Sequence, residues 1–306
     1  LNTHWGIRIP KDQAEEKRQQ LIHEGLLDRQ RRPLRDGDNI VLPVIQECPG
    51  AEPGTFQEYH NRAELPRHEL IGGIAVMHEN DPKEAERLLA SRPKIHTILF
   101  AESAVSGEYR TKDYTVLAGE NTTRTDYTEY SLHFTVDLSA AYFSARLSNE
   151  RQRILNQSQP GERVLDMFAG VGPFAITLAQ KASFVAAGDL NPEAVVLLEE
   201  NIKRNHCTNI LPMLADARHL PSFFGPASFD RVIMNLPMGA QAFLDEGLSL
   251  CREGGTVHFY VLQESEGQYL SCIREKTAGR VNERVVRSYS AALHHAVYDI
   301  EMIRRL

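Results

Sequence analysis

Two rhythms of apolar and polar positions run along this chain, and they change near Pro160. Beyond it, short apolar runs alternate with helical patterns. "ERVLDMFAG" reads as a strand ending in a Gly-containing loop, "PFAITLAQK" as a helix, "SFVAAGDL" as a strand. "PEAVVLLEENIKRN" is a helix opened by Pro192 in its first turn. "ILPMLADA" and "FDRVIMNL" are strands, "AFLDEGLSLC" a helix, "TVHFYVLQ" a strand. This alternation predicts an α/β fold with a mostly parallel, doubly wound sheet, whose ligands bind beyond the carboxyl ends of the strands.

Upstream the rhythm is mixed. Ala14, Lys17, Arg18, Leu21, Ile22 and Gly25 make one helical pattern, and "DNIVLPV" (Asp38 to Val44) reads as a strand. "QECPGAEPGTFQEYHNRAELP" is rich in Pro, Gly and charge and reads as a linker. From His68, "LIGGIAVM", "IHTILFAE", "DYTVLAGE" and "LHFTVDLSAAYF" carry strand signals, with "DPKEAERLLASR" a helix among them. Three segments are expected: a small N-terminal unit with linker (1–66), an α+β unit (67–155) and the doubly wound unit (156–306).

Composition narrows the classes. The 306 residues are 42% apolar and 25% charged, ordinary for a soluble globular protein. No apolar run reaches the ~18 residues of a membrane span, and the N-terminus shows no secretory h-region. Cys48, Cys207, Cys251 and Cys272 lack CxxC spacing, so reduced intracellular thiols are expected rather than a disulfide or zinc framework. A net charge of -7 argues against broad nonspecific nucleic-acid binding while leaving room for a local basic face. "RQRRPLR" (Arg29 to Arg35) is either a solvated loop or an RNA contact.

The candidate chemistry lies at strand ends. "LDMFAGVGPF" follows a strand and opens a helix, and Gly170 and Gly172 let the backbone approach a ligand. There is neither GxGxxG nor GK[ST], so no dinucleotide or NTP phosphate site is supported. Asp166 precedes the loop. Asp189 ends the second strand, where a carboxylate can hold two ribose hydroxyls. Asp216 ends the third and suits an adenine amino group. Any one of these reads as a turn residue or cap; three at successive tips describe a ligand with a ribose, an adenine and a cationic amino-acid tail. S-adenosylmethionine fits. The fourth strand, Val232 to Met234, stops at Asn235, with Leu236-Pro237 following. Pro237 fixes the local backbone, and the amide offers a donor and an acceptor.

The stretches "GEYRTKDYTVLAGENTTRT", "AAYFSARLSNERQRI", "VLDMFAGVGPFAI", "DLNPEAVVLLEENIKRN", "RVIMNLPMGA" and "VVRSYSAALHHAVYDI" cover most of residues 107–300 in order. They resemble class I methyltransferases, and more closely the archaeal and eukaryotic tRNA (guanine-37, N1)-methyltransferase family. "GIRIPKDQAEEKRQQLIHEGLLD" with "DNIVLPV" is similar to that family's small N-terminal domain.

The resemblance implies a class I Rossmann-like catalytic domain preceded by an α+β RNA-binding domain. It implies S-adenosylmethionine as cofactor, S-adenosylhomocysteine as product, and tRNA with guanosine at position 37 as partner. A cytoplasmic monomer with no DNA, membrane or metal role is expected. Guanine N1 carries a proton, so its methylation needs a base, a donor for charge developing on O6, and groups that fix the ring. The resemblance assigns Glu150 as base, Arg110 as O6 donor and Tyr142 as an aid to their placement; Asn235, its backbone fixed by Pro237, can bind an edge of guanine or the cofactor amino group. On local sequence Glu150 also reads as a solvated helix carboxylate paired with Arg153 or Arg146, Arg110 as a surface arginine and Tyr142 as a half-buried strand tyrosine. The cofactor set is Arg151, Asp166, Phe168, Ala169, Gly170, Gly172, Asp189, Leu190, Asn191, Asp216, Ala217 and Asn235.

Two departures stand out: Ala145 where the family usually has proline, and Tyr130-Ser131 where it often has Asn-Gly. No aromatic follows Pro237, unlike Asn-Pro-Pro-Tyr enzymes that act on exocyclic amino groups. The alternatives are aminocarboxypropyl transfer to a guanosine-37 wyosine precursor, methylation of that precursor as well, and a noncatalytic tRNA-binding protein. Ser144-Ala145-Arg146-Leu147, in place of Ser-x-Gly-Asn, favours methyl transfer over the first. His294-His295 have no further partner at metal spacing, so no metal is expected.

Overall fold

A computed structural model describes residues 4–57, 65–103, 107, 109, 111–290 and 292–303. The chain forms two compact units, Leu1–Leu65 and Pro66–Leu306.

In the first unit, β1 (His4–Pro10), α1 (Ala14–His23), β2 (Leu34–Asp36), β3 (Asn39–Val44) and β4 (Ala51–Gly54) make an antiparallel sheet in the order β2-β3-β1-β4 with one helix. Leu21 of α1 packs with Ile7, Leu42 and Val44. Two strands depart from expectation. β1 carries Gly6 in its middle, because a Cβ there would lie 2.3 Å from Cζ of buried Phe56. β4 lies inside the segment read as linker. Its "AEPG" carries no strand signal and is recruited by pairing with β1. Likewise, "RQRRPLR" is not wholly loop, since Leu34–Asp36 forms β2.

The second unit begins with β5 (His68–Ile71), β6 (Ile74–Met77), α2 (Pro82–Ser91), β7 (Thr97–Ala101) and β8 (Tyr114–Gly119), the strands in that order across one sheet. "LIGGIAVM", read as one strand, is a hairpin turning at Gly72-Gly73. β9 (Arg124–Glu129) and β10 (Leu132–Asp137) form a second hairpin, and α3 (Ser148–Gln157) leads into the doubly wound part.

That part runs β11 (Arg163–Asp166), α4 (Pro173–Ala179), β12 (Phe184–Asp189), α5 (Pro192–Arg204), β13 (Ile210–Leu214), α6 (Leu220–Phe223), β14 (Phe229–Met234), α7 (Leu244–Leu250), β15 (Cys251–Gln263), α8 (Leu270–Lys276), β16 (Arg280–Ser288) and β17 (His294–Glu301). The seven strands lie in the order β13-β12-β11-β14-β15-β17-β16. Those from β13 to β15 are parallel, and β17 and β16 add an antiparallel edge. The order reverses at β11, so the crevice opens beside it.

Ile71, Leu99, Phe134, Val136, Val171, Ile176 and Leu197 share one core, which binds the first sheet and the hairpin to α4 and α5. A buried amide locks this contact. Asn201 of α5 accepts from Thr135 N (2.7 Å) and donates to Thr135 O and Val171 O (both 3.0 Å), tying the hairpin to the glycine loop.

The two-residue β9–β10 turn explains the cost of Tyr130-Ser131. Both residues sit at positive φ, +44° and +64°, where Asn-Gly is favoured and a Cβ is crowded. The Tyr130 hydroxyl offsets part of this by donating to Asn149 Oδ1 (2.6 Å) on α3. We expect Tyr130→Asn with Ser131→Gly to stabilise the chain by about 1–2 kcal/mol, read from the urea midpoint at unchanged slope.

Candidate active site

Parallel strands deliver their carboxyl ends to one edge. Asp166 ends β11, Asp189 ends β12, Asp216 follows β13 and Asn235 follows β14. A cleft of about 640 Å³ opens there. It is lined by Phe168, Ala169, Gly170, Asp189, Leu190, Asn191, Asp216, Ala217, Asn235 and Pro237 from the sheet, and by Tyr142 and Arg151 from the segment before it. Its size and half-apolar walls suit a cofactor with part of a substrate.

The loop after β11 is shaped by two different glycine requirements. Gly170 has φ +54° and room around it, so it is needed for backbone conformation, and its N–H donates to Asp189 Oδ2 (2.7 Å). Gly172 does not line the cleft. It sits at φ +92° before α4, and a Cβ there would come within 2.4 Å of Leu198 Cδ1, so its role is close loop–helix packing.

Asp189 is held at both oxygens, since Asn191 N–H donates to Oδ1 (2.9 Å). Burial pushes its pKa up, and the donors from Asn191, Gly170 and Leu190 oppose that. Asn191 spends its side chain locally, capping α5 at Glu193 N (3.0 Å) and donating to Ala140 O (2.7 Å). Asp216 accepts from Arg218 N (2.9 Å) and pairs with the Arg218 guanidinium, which holds its pKa down. An adenine amino group would share this carboxylate with Arg218.

Asp166 is fully buried behind the loop and does not line the cleft. Neither oxygen closes a hydrogen bond, although the backbone N–H groups of Phe168 and Ala175 lie near enough to oppose the shift. Burial pushes its pKa up to about 7.

Asn235 Oδ1 is also buried without a partner, and this residue does line the cleft. A carbonyl oxygen that lacks a donor among the described residues is an acceptor waiting for one.

On the other wall, two assigned residues lie deeper than expected. Arg151 is 1% exposed. Its Nε donates to Glu129 Oε1 (2.6 Å), its Nη2 to Oε2, and it reaches Ser144 O, so the guanidinium ties α3 to β9. Glu150 is 4% exposed and does not line the cleft. It is not the solvated carboxylate that its polar neighbours suggest. Arg153 donates to it through Nε (2.9 Å) and Nη2 (2.6 Å), and Tyr260 Oη donates to Oε1 (2.7 Å). Tyr142 is exposed at the cleft mouth. Arg110 lies outside the described residues.

His295 and Arg287 are cleft residues that the sequence reading did not assign. A bulge between Val285 and Arg287 sets Arg287 opposite His295 across β16 and β17, a common device for re-aiming a side chain beside a site. His295 is buried and its Nε2 has no partner among the described residues. Burial first, then the Arg287 charge, pushes its pKa down to about 4, with Glu150 opposing. It is a neutral imidazole whose ring lies 5.7 Å from that of Tyr260. The available signal was the paired histidines in an apolar strand.

A TRM5/TYW2 methyltransferase domain model matches residues 125–287, and a tRNA methyltransferase 5 N-terminal domain model matches residues 6–52. The tRNA (guanine(37)-N(1))-methyltransferase Trm5b of Pyrococcus abyssi is 34% identical, covering 97% of this chain and 98% of its own. The chain belongs to the TRM5/TYW2 methyltransferase family. The structure of a complex of aTrm5 and tRNALeu superposes with a TM-score of 0.72 at 27% identity, covering 99% of this chain and all of that one. Methanocaldococcus jannaschii TYW2 in complex with AdoMet gives 0.60 at 26% identity, covering 78% of this chain and all of that one.

In TRM5/TYW2 terms, the cleft fits the cofactor. The Asp189 carboxylate and the Phe168–Gly170 backbone line it, and the Asn235 oxygen there has no donor among the described residues.

Asp166 carries a pH signature. Its folded pKa lies above the ordinary 3.8, so the native chain binds this proton more tightly than the unfolded one. That stabilisation is present below about pH 4 and is lost as pH rises through about 7. We expect the chain to lose about 2–4 kcal/mol of unfolding free energy relative to Asp166→Asn over that window, read from denaturant titrations of both proteins at several pH values.

Proposed function

We propose that this enzyme methylates N1 of guanosine-37 in the tRNA anticodon loop. The observation that carries the reading is the buried, unpartnered Oδ1 of Asn235 in the cleft wall, with Pro237 beside it. S-adenosylmethionine supplies a sulfonium-bound methyl group: as N1–H gives up its proton, the freed nitrogen lone pair forms N–CH3 and the sulfur keeps the S–CH3 electrons.

The chain's own groups do the rest. Asp189 accepts from the ribose hydroxyls, Asp216 from the adenine amino group, and the Phe168–Gly170 backbone sets the approach. Asn235 accepts from a guanine N–H and holds the ring edge. Glu150 is kept as the base that the resemblance assigns, although it lies behind the cleft wall, held there by Arg153 and Tyr260. His295 stands in the cleft wall near Tyr260, the donor to Glu150. An imidazole pushed to about 4 is a weak proton acceptor, so His295 serves as a hydrogen-bonding wall rather than the base. Arg110 remains the assigned donor to O6. Tyr142 offers an exposed ring for stacking, as RNA readers do with splayed bases. The N-terminal unit and residues 67–155 supply further tRNA contacts, and the enzyme acts as a cytoplasmic monomer.

Aminocarboxypropyl transfer is the weaker reading. The TYW2 match covers 78% of this chain, whereas the Trm5b match spans both family models.

Mass analysis of tRNA after parallel incubations with cofactor labelled either in the methyl group or in the aminocarboxypropyl portion tests the reaction. Label on guanosine-37 as 1-methylguanosine is the expected result; label arriving only from the aminocarboxypropyl portion would refute it. Asp189→Ala should weaken cofactor binding by about 10-fold or more, the worth of one or two charge-assisted hydrogen bonds. Unchanged affinity by calorimetry removes the ribose role.

A further inference from the structure

One face of the sheet beneath α3 carries a row of buried charged groups running away from the cleft. Arg153 donates to Glu150 and, through Nη1 (2.6 Å) and Nη2 (3.2 Å), to both oxygens of Asp299 on β17. His258 Nδ1 lies 2.6 Å from Asp299 Oδ1, and His258 Nε2 lies 2.6 Å from Arg231 Nη1. Arg231 in turn donates to both oxygens of Glu162 (2.8 and 2.9 Å).

The protonation of this row follows from donor chemistry. A guanidinium only donates, so His258 Nε2 must be the bare acceptor and its proton must sit on Nδ1, directed at Asp299. His258 is therefore neutral, and burial pushes its pKa down in agreement. Burial alone would raise Asp299, but His258 and Arg153 hold its carboxyl well below the usual range. Arg153 stays firmly charged because two carboxylates share it. Three anions (Glu150, Asp299, Glu162) then face two cations (Arg153, Arg231), an excess of one negative charge within this row.

We propose that Asp299 and Arg153 are positioning residues that tune Glu150 as the base, by leaving this row one proton short of neutrality. Arg153 orients the Glu150 carboxylate. Asp299 draws off part of the Arg153 charge, so that Glu150 is held without being fully neutralised. When the N1–H bond breaks, the proton lands on Glu150, the row becomes neutral, and later loss of that proton to solvent restores it. Among the other groups around Glu150, Arg287 is a cation with no ion pair among the described residues, and it lies across His295 from Glu150, outside the row. Tyr260 from β15 is a neutral phenol with its pKa pushed well up by burial and by Glu150. His295 from β17 is neutral, and Arg287 on β16 acts on it from the cleft side. Arg151 is matched by Glu129, and Lys181, after α4, is bound to the carbonyls of Leu155 and Ser158 at the far end of α3.

The inference rests on Glu150 being the base, and its test separates the two ideas. Single-turnover methylation of guanosine-37 tRNA is followed against pH with saturating cofactor, and folding of each variant is checked by thermal melt. Glu150→Gln should abolish the acid limb and cut the rate at least 100-fold; a surviving limb overturns the base reading and this inference with it. Asp299→Asn should move the limb to lower pH, and Arg153→Gln to higher pH, each by on the order of one unit. A merely structural role lowers the rate in both without opposed shifts. If Glu150→Gln removes the limb while neither variant moves it, or both move it the same way, the tuning inference fails and the base reading stands. Should Asp299→Asn not fold, the upward shift in Arg153→Gln decides alone.

Discussion

The Arg153 guanidinium, shared between a helix carboxylate and a strand carboxylate, is the constraint on which the wall formed by α3 and β17 depends. A buried cation is tolerated only where its donors are nearly all matched, because breaking such a pair leaves a desolvated charge. Three pieces of chain meet that demand together: Glu150 on α3, Asp299 on β17, and His258 on β15 behind Asp299. Register follows from it. A one-residue slip of β17 would turn Asp299 to the opposite face, stranding Arg153 and the Nδ1 proton of His258. Polar pairing thus fixes a strand whose residues, mostly buried on both faces, carry little alternation to fix it otherwise.

The cofactor wall obeys a simpler rule. In a parallel sheet every strand ends on the same side, so residues far apart in sequence gather without any long-range pairing of their own. The loop between them is held by Gly170 N–H to Asp189 and Ala169 N–H to Gly188 O, and anchored from behind by Asn201. Its side chains need only be small or correctly capped. The substrate wall has no such shortcut and is assembled from α3, β16 and β17.

That difference decides what could be read from the sequence. The βα alternation, the Pro-led helices and the acidic strand tips are local patterns, and Asp189, Asp216 and Asn235 do line the cleft. Glu150 was misjudged in setting because "SNERQRI" looks like a wet helix face; its burial comes from partners as far as Asp299, 146 residues from Arg153. β1 and β4 went unseen because Gly6 and "AEPG" contradict strand propensity, and only Phe56 and the neighbouring strand make them fit. Local signals report strand ends; they do not report which polar groups a sheet face will bury together.

The proposed choice of a ring nitrogen over an exocyclic amino group has a structural counterpart. Met238, not an aromatic ring, follows Pro237 in the cleft wall. The exposed rings that line the cleft are Tyr109, Tyr142 and Tyr289, the last two near Arg287. A base stacked there would be held by its face from that side, while Asn235 takes its edge from the sheet. The edge that meets the cofactor is then the one carrying a ring N–H, which has to lose its proton before it can react. An exocyclic amino group already has a lone pair to offer and gains little from a strong base. N1 gains much, and a carboxylate kept one proton short of neutrality beneath the wall is suited to that demand.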